Sequence, residues 1–476
     1  MFFRNRAGIA AGLLAWAGTA LGADAPRLKV FEPIELRLSP GPATVPALKY
    51  RLLPLHSELN PGNAAPIYLR LSAEQPEKPL REIRQKAAAW FDLPIDKLPI
   101  AEVREYLDSW KKKFEQLDFG ARRQTCEWNY SLPEQRENAI EILLPDVQES
   151  RHWASLLALK ARLEIAEHKF DDAVRTLETG FAYSRHVGEG PFLISSLVAI
   201  AETTQMLHRV EELIAQPDAP NLYWALSALP RPPIGLRHGL ENEEKMFEWV
   251  VPEVTGLDRP HTEAEWSSRL AALHARLSHL AKTGNWVDGK PVPIGHETTL
   301  AQFKAENLPD ARAFFKDRRP PAAVAGMTDD QMLIRFIAER ARALRDDQYK
   351  YTYLTFPEAV RFDIDRTVKE LASIQDGPFA VLGMLTSSLR NYLAAGARLE
   401  RAVAALRIVE AIRIQAHQDG GKLPDSLDQV TVVPVPLDPV TGKPFSARRE
   451  GDVFILSGPP PFPEMPGLTY RITLRK

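Results

Sequence analysis

Two short stretches hold residue types from which a binding site can be built. Arg185-His186-Val187-Gly188-Glu189-Gly190 sets a guanidinium, an imidazole and a carboxylate on a glycine-bounded turn between two apolar helical segments. Turns of this kind line the concave face of helical repeats, where ligands bind. The same residues also read as a helix end, with Arg185 and His186 meeting the negative pole of the helix and Gly188 closing it. With Tyr223 and Trp224, they give a candidate binding set of Arg185, His186, Glu189, Tyr223 and Trp224.

Patterns for catalysis and metal binding are weaker. Glu244 and Glu248 stand one helical turn apart, as an acid–base pair would, but Lys245 and the run Glu241–Glu248 also read as a charged, exposed face. His274 and His279 are five positions apart, about 140° around a helix, so a shared metal needs a third element. His296-Glu297-Thr298-Thr299-Leu300 opens like a zinc-protease helix, with leucine in place of the second ligand. Ser109-Trp110-Lys111-Lys112 matches Ser-x-x-Lys without its companion motifs. Cys126 has Thr125, Glu127 and Trp128 beside it and no activating base, which reads as a buried, inert thiol. No catalytic residue, metal or cofactor is assigned.

The elements that must position these groups are mainly helical. Residues 23–98 are proline-rich and mixed: Leu48–Leu55 reads as a strand, Asn60-Pro61-Gly62-Asn63 as a turn, and Asn63 as the cap of a short helix through Leu71. Residues 99–229 read as a helical array. Val103, Leu107, Trp110, Phe114 and Leu117 recur at spacings of 4, 3, 4 and 3 and share one helix face, with Lys111, Lys112 and Lys113 solvated between them. A helix through Leu156, Leu159, Leu163 and Ala166 breaks at His168-Lys169 and returns through Ala173, Leu177 and Phe181. Residues 191–215 give another apolar helix, and Asn221–Leu229 starts a further one.

Pro230-Arg231-Pro232-Pro233 opens a second helical region, residues 230–375. It holds helices over Leu240–Val250 and Glu263–Lys282, a loop over Trp286–His296, a boundary at Pro320-Pro321 and a capping box at Thr328/Gln331 starting a helix through Leu344. Tyr349–Phe356 alternates as a strand would. In residues 376–476, Leu399, Ala402, Leu406, Val409, Ile412 and Ala416 mark a long amphipathic helix ending at Asp419-Gly420-Gly421. Asp438, Pro439 and Gly442 then form a structural turn, and Asp452–Ser457 and Leu468–Leu474 read as strands.

Three resemblances attach to these residues. The Trp153–Ala215 stretch resembles a tetratricopeptide hairpin, with small Ala161 and Ala173 at the helix approach and Phe170 and Leu177 filling the gap. It departs at Glu164, where the family has tyrosine, and at Arg185, where it has proline. The long helix, Gly421-Lys422-Leu423-Pro424, Asp438-Pro439-Val440-Thr441-Gly442-Lys443-Pro444-Phe445 and the following strand resemble the globular half of type II secretion pseudopilins over roughly the last 80 residues. Gly458-Pro459-Pro460-Pro461 stands where the major pseudopilins carry an acidic calcium loop, so the resemblance implies a fold and no calcium. The whole chain resembles a group of secreted planctomycete proteins of unknown function. The likeness lies in Leu48-Lys49-Tyr50, Pro61-Gly62-Asn63-Ala64-Ala65, Lys160–Val187, Asn221–Leu226 and the C-terminal module. It implies an extracytoplasmic location and this domain order.

Composition agrees with a globular chain. Of 476 residues, 45% are hydrophobic, enough for sizeable cores. Lys and Arg total 60 against 62 Asp and Glu, a formal charge of −2, without the basic excess that a general nucleic-acid binder needs. A single cysteine excludes an intramolecular disulfide framework. Arg4 and Arg6, the apolar stretch Ala7–Leu21 and the small residues Ala20 and Gly22 read as a signal peptide over 1–22, cleaved after Gly22. The apolar stretch is short for a spanning anchor, as is Phe379–Leu389, and no cysteine follows for a lipid.

The expectation is a mainly α protein: an irregular helical array with a tetratricopeptide-like hairpin and a small α+β C-terminal module. It is expected to be exported, periplasmic or extracellular, without a membrane span after signal removal. Its expected role is a scaffold or binding protein with an unknown protein or envelope partner. The rivals are an extracytoplasmic hydrolase built from distant residues and an accessory of a secretion or pilus-like system.

Overall fold

Asn63 shows how local chemistry starts the fold: its Oδ1 accepts from the Ala65 N–H at 3.0 Å and opens a short helix. The computed structural model describes residues 33–73, 88–131, 134, 145–283, 286–287, 290–291, 298–316, 318–366, 378–379 and 389–475. The signal segment 1–22, His296-Glu297 and most of the apolar run 379–389 lie outside the described residues. The fold is mainly α with a small α+β part. Two compact units share the chain. The larger takes the described residues of Pro26–Trp128, Leu144–Gly239 and Ala394–Lys476, and the smaller those of Asn129–Leu143 and Leu240–Leu393.

The larger unit begins with strand β1 (Ile34–Leu38), in which Leu36 and Leu38 are buried and Glu35 and Arg37 exposed. Helix α1 (Ala65–Ala73) follows, then α2 (Ile100–Asp108) and α3 (Lys111–Ala121). The single helix expected over Val103–Leu117 is therefore two. Ser109 breaks it, with its hydroxyl turned back onto the Tyr106 carbonyl at 2.6 Å, while Val103, Leu107, Trp110 and Leu117 stay buried. Leu48–Leu55 is not a strand. Lys49 closes a turn onto the Pro46 carbonyl, Leu52 is buried, and Leu48 is exposed.

Helices α4 (Pro145–Ala166), α5 (Phe170–Gly188) and α6 (Leu193–Ile214) pack against one another. The α4–α5 turn runs through His168, at φ 57°, a conformation that bulky residues adopt only in tight turns. Ala161, Ala173 and Leu177 are fully buried. Lys160 and Glu164 of α4 meet Thr176 of α5, whose hydroxyl donates to Glu164 Oε2 at 2.7 Å. A Cβ on Gly180 would lie 2.4 Å from Met206 Sδ, so glycine sets the α5–α6 approach. A short helix, α7 (Tyr223–Ser227), follows.

The smaller unit contains most of α8 (Arg237–Val250), with α9 (Glu263–Thr283), α10 (Leu300–Lys316) and α11 (Asp329–Tyr349). Trp266, Leu270, Leu273, Leu277 and Leu280 form the buried stripe of α9. The Thr328 hydroxyl caps α11 by accepting from the Gln331 N–H at 3.2 Å. Asp330 joins three helices, accepting from Ser267 Oγ at 2.7 Å and pairing with Lys304 at 2.5 Å. Tyr349–Phe356 is not a strand. A 3-10 turn over Lys350–Tyr353 ends α11, and the Thr355/Glu358 capping box starts the helix Phe356–Arg361.

Helix α12 (Leu389–Gln418) returns to the larger unit and ends where Gly420 and Gly421, at φ 66° and 85°, let the Gly421 N–H reach the Ala416 carbonyl at 2.8 Å. Strands β2 (Ser446–Glu450), β3 (Val453–Gly458) and β4 (Leu468–Leu474) complete a sheet of order β1-β4-β3-β2. The β2–β3 and β3–β4 pairs are antiparallel, with Glu450 opposite Val453 and Phe454 opposite Ile472. The β1–β4 pair is parallel, with Ile34 opposite Tyr470 and Leu38 opposite Leu474. Leu38, Phe454, Leu456, Tyr470 and Ile472 bury the inner face. Among the described residues no helix is long and apolar enough to cross a membrane.

Candidate binding site

The turn at Asp438 fixes one wall of a cavity. Its carboxylate is 1% exposed and takes a two-pronged ion pair from Arg401 of α12: Nε to Oδ1 and Nη2 to Oδ2, both at 2.8 Å. Oδ1 also accepts from the Val440 N–H at 3.0 Å, and Oδ2 from the Thr441 hydroxyl at 3.2 Å. The remaining Arg401 nitrogen donates to the Pro459 carbonyl. Gly442, at φ 69°, closes the turn by donating to the Asp438 carbonyl at 2.8 Å. The sequence points to the turn; it holds no local sign that Arg401, 37 positions earlier, supplies the countercharge.

A second buried ion pair ties the other end of α12. Glu410 accepts from the Leu222 N–H at 2.9 Å, Asn221 Nδ2 at 2.7 Å and Arg413 Nη1 at 2.8 Å. Arg413 also donates to the Ser39 and Ala219 carbonyls. Between these anchors, α12, the chain Leu226–Pro233 and the segment Pro434–Pro439 line a half-open cavity of about 370 Å³. Leu226, Leu229, Val403 and Leu437 give it an apolar lining, and five prolines stand among its walls.

Neither Tyr223 nor Trp224 lines this cavity, but Tyr223 stands behind two lining residues, Pro434 and Arg407. The buried Tyr223 donates its hydroxyl hydrogen to the Pro434 carbonyl at 2.6 Å, and Trp224, 37% exposed, meets its ring edge-on at 5.1 Å. Arg407, a lining residue, lies over the Tyr223 ring at 5.4 Å and donates from Nε to Ser227 Oγ at 2.8 Å. Glu400 is half-buried in the wall. Burial pushes its carboxyl above the ordinary range, and the charge of Arg231 opposes that shift.

Arg185, His186 and Glu189 occupy the end of α5. Arg185 and Glu189 are exposed. The His186 ring takes its place in an aromatic cluster: Nδ1 lies 2.8 Å from Tyr68 OH, and Tyr68 meets Tyr183 edge-on at 4.8 Å. Trp128 Nε1 donates to the His186 carbonyl at 2.7 Å. Burial, with the nearby Arg185 charge, pushes the imidazole down to about 4, so it is neutral at neutral pH. Among the described residues no hydrogen bond or ring contact joins Arg185, His186 or Glu189 to Tyr223 or Trp224. The candidate set is thus two separate places.

The other sequence candidates are held in structural contacts. Glu248 pairs with Arg342 at 3.1 Å and Glu244 with Arg345 at 3.7 Å. His274 Nε2 lies 3.3 Å from Thr298 Oγ1. Cys126 is buried, and burial raises its thiol well above the ordinary range. One buried acid escaped the sequence reading. Glu202 of α6 is 2% exposed and accepts from Ser150 Oγ at 2.7 Å. Burial raises its carboxyl to about 8 against the Ser150 hydrogen bond and the Arg151 charge. The signal was present: Val198, Glu202 and Met206 recur every four positions on the buried face.

No protein-family model, curated protein or solved structure matches the chain.

Proposed function

We propose that this chain is an exported binding or scaffold protein whose larger unit receives a mostly apolar ligand group in the cavity beside α12. The observation that carries this reading is the cavity itself. Its volume of about 370 Å³ falls in the range of small-ligand sites, about 300–1,000 Å³. Its walls are fixed in advance by the Arg401–Asp438 and Glu410–Arg413 pairs, which lowers the ordering cost of binding. Export is supported by the order of Arg4 and Arg6, the apolar stretch and the small residues Ala20 and Gly22.

The neutral dye Nile red, titrated into the full chain, tests the cavity. Saturable binding is expected for the wild type. Leu437 lines the cavity and is 56% exposed, so Leu437→Trp obstructs it as a surface substitution, within roughly 0.5 kcal/mol of wild-type stability. Several-fold weaker dye binding at unchanged Tm is the expected result. Wild-type protein that shows no saturable binding overturns the reading.

A further inference from the structure

Hydrogen-bonding capacity in the cavity is unequal. Pro230, Pro233, Pro434, Pro436 and Pro439 bring carbonyl acceptors and no N–H. Arg407 has its Nε committed to Ser227, its Nη2 3.4 Å from the Tyr223 hydroxyl, and its plane over the Tyr223 ring. Arg231 is exposed, where water and salt screen its charge. Glu400 is the one acidic lining residue among the described residues, and it makes no hydrogen bond or ion pair with any of them. Its lost hydration is offset, among the described residues, only by the charge of exposed Arg231 and by no hydrogen bond. A ligand that brings N–H donors on a positive charge restores that loss through charge-assisted hydrogen bonds.

We propose that the cavity is a site for a small organic cation, an alkylammonium or arylalkylammonium group. Its N–H donors meet Glu400, and its apolar body lies against Leu226, Val403 and Pro436. This assignment rests on the cavity being a binding site. An anionic ligand is the opposite assignment, and it would place the affinity on Arg231 and Arg407.

Calorimetric titration of the full chain with phenylbutylamine, phenylbutanol and phenylbutyrate at neutral pH separates these cases. The amine is expected to bind tighter than the alcohol by roughly tenfold or more, the factor one charge-assisted hydrogen bond supplies, and the acid to bind most weakly. In Glu400→Gln the amine falls to the level of the alcohol, and alcohol binding is unchanged. The cation assignment is overturned, with the binding cavity left standing, if amine and alcohol bind alike, if the acid binds tightest, or if Glu400→Gln keeps the amine preference. Failure of all three compounds to bind the wild type overturns the cavity reading as well.

Discussion

Asp438 and Arg401 show what a single buried charge requires. Both carboxylate oxygens are taken, by Arg401, the Val440 N–H and the Thr441 hydroxyl, so the turn is held by ionic and polar bonds together. Asp438→Ala removes one partner and leaves the Arg401 guanidinium buried without countercharge. A loss of about 3–5 kcal/mol in denaturant unfolding is expected. Added calcium should leave the wild-type Tm unmoved; a calcium-dependent rise abolished in Asp438→Ala would contradict the turn as described. Glu202 makes stability depend on pH. Between the ordinary carboxylate value of 4.5 and about 8, the native state keeps a proton that the unfolded chain has released. Stability attributable to Glu202 therefore falls as pH rises through that window and levels off above it. His186, pushed down to about 4 from 6.5, gives the opposite slope below 6.5. Chemical denaturation of wild type and Glu202→Gln from pH 5 to 9 isolates the first term. The wild type should lose stability relative to the variant as pH rises toward 8, and parallel profiles would refute this account.

At the scale of elements, the α4–α5–α6 packing was the most legible part of the chain. Ala161, Ala173 and Leu177 lie at the helix contacts their sizes suggest, since small residues admit close approach and leucine fills what remains. Ala173→Leu should overpack α5 against its neighbours and cost roughly 1–3 kcal/mol, read as a lower midpoint at an unchanged m-value. An unaltered midpoint would mean Ala173 is not at a tight contact. Two expected strands were illegible for a physical reason. Leu48–Leu55 and Tyr349–Phe356 have strand-like residues, but a strand needs a partner edge, and pairing is not written in a local window. Tyr349–Phe356 is instead claimed by the end of α11 and by the Thr355 capping box. Ser109 broke the expected helix in two, yet four of the five stripe residues stay buried and Phe114 is half-buried, because the stripe records the face and not the helix axis.

On the scale of the whole molecule, the larger unit is assembled from three stretches far apart in the chain. Strand β1 joins the C-terminal sheet in parallel, Leu38 opposite Leu474, and Tyr470 reaches Glu211 of α6. Arg413 binds carbonyls at Ser39 and Ala219 at once. The sequence by itself determined the helical class, most helix positions, the caps at Asn63, Thr328 and Gly420, the Asp438 turn and two strands of the four-stranded sheet. These follow from periodicity, side-chain size and local backbone bonding, all of which act over a few residues. Only the tertiary structure decided which strand completes the sheet, which arginine neutralises Asp438, that Tyr223 and not His186 backs the cavity wall, and that Glu400 lines it without a hydrogen bond among the described residues. Each of these depends on residues brought together across tens to hundreds of positions. Burial is what makes such partners obligatory, because a charge or strand edge removed from water must find its complement wherever the fold supplies one.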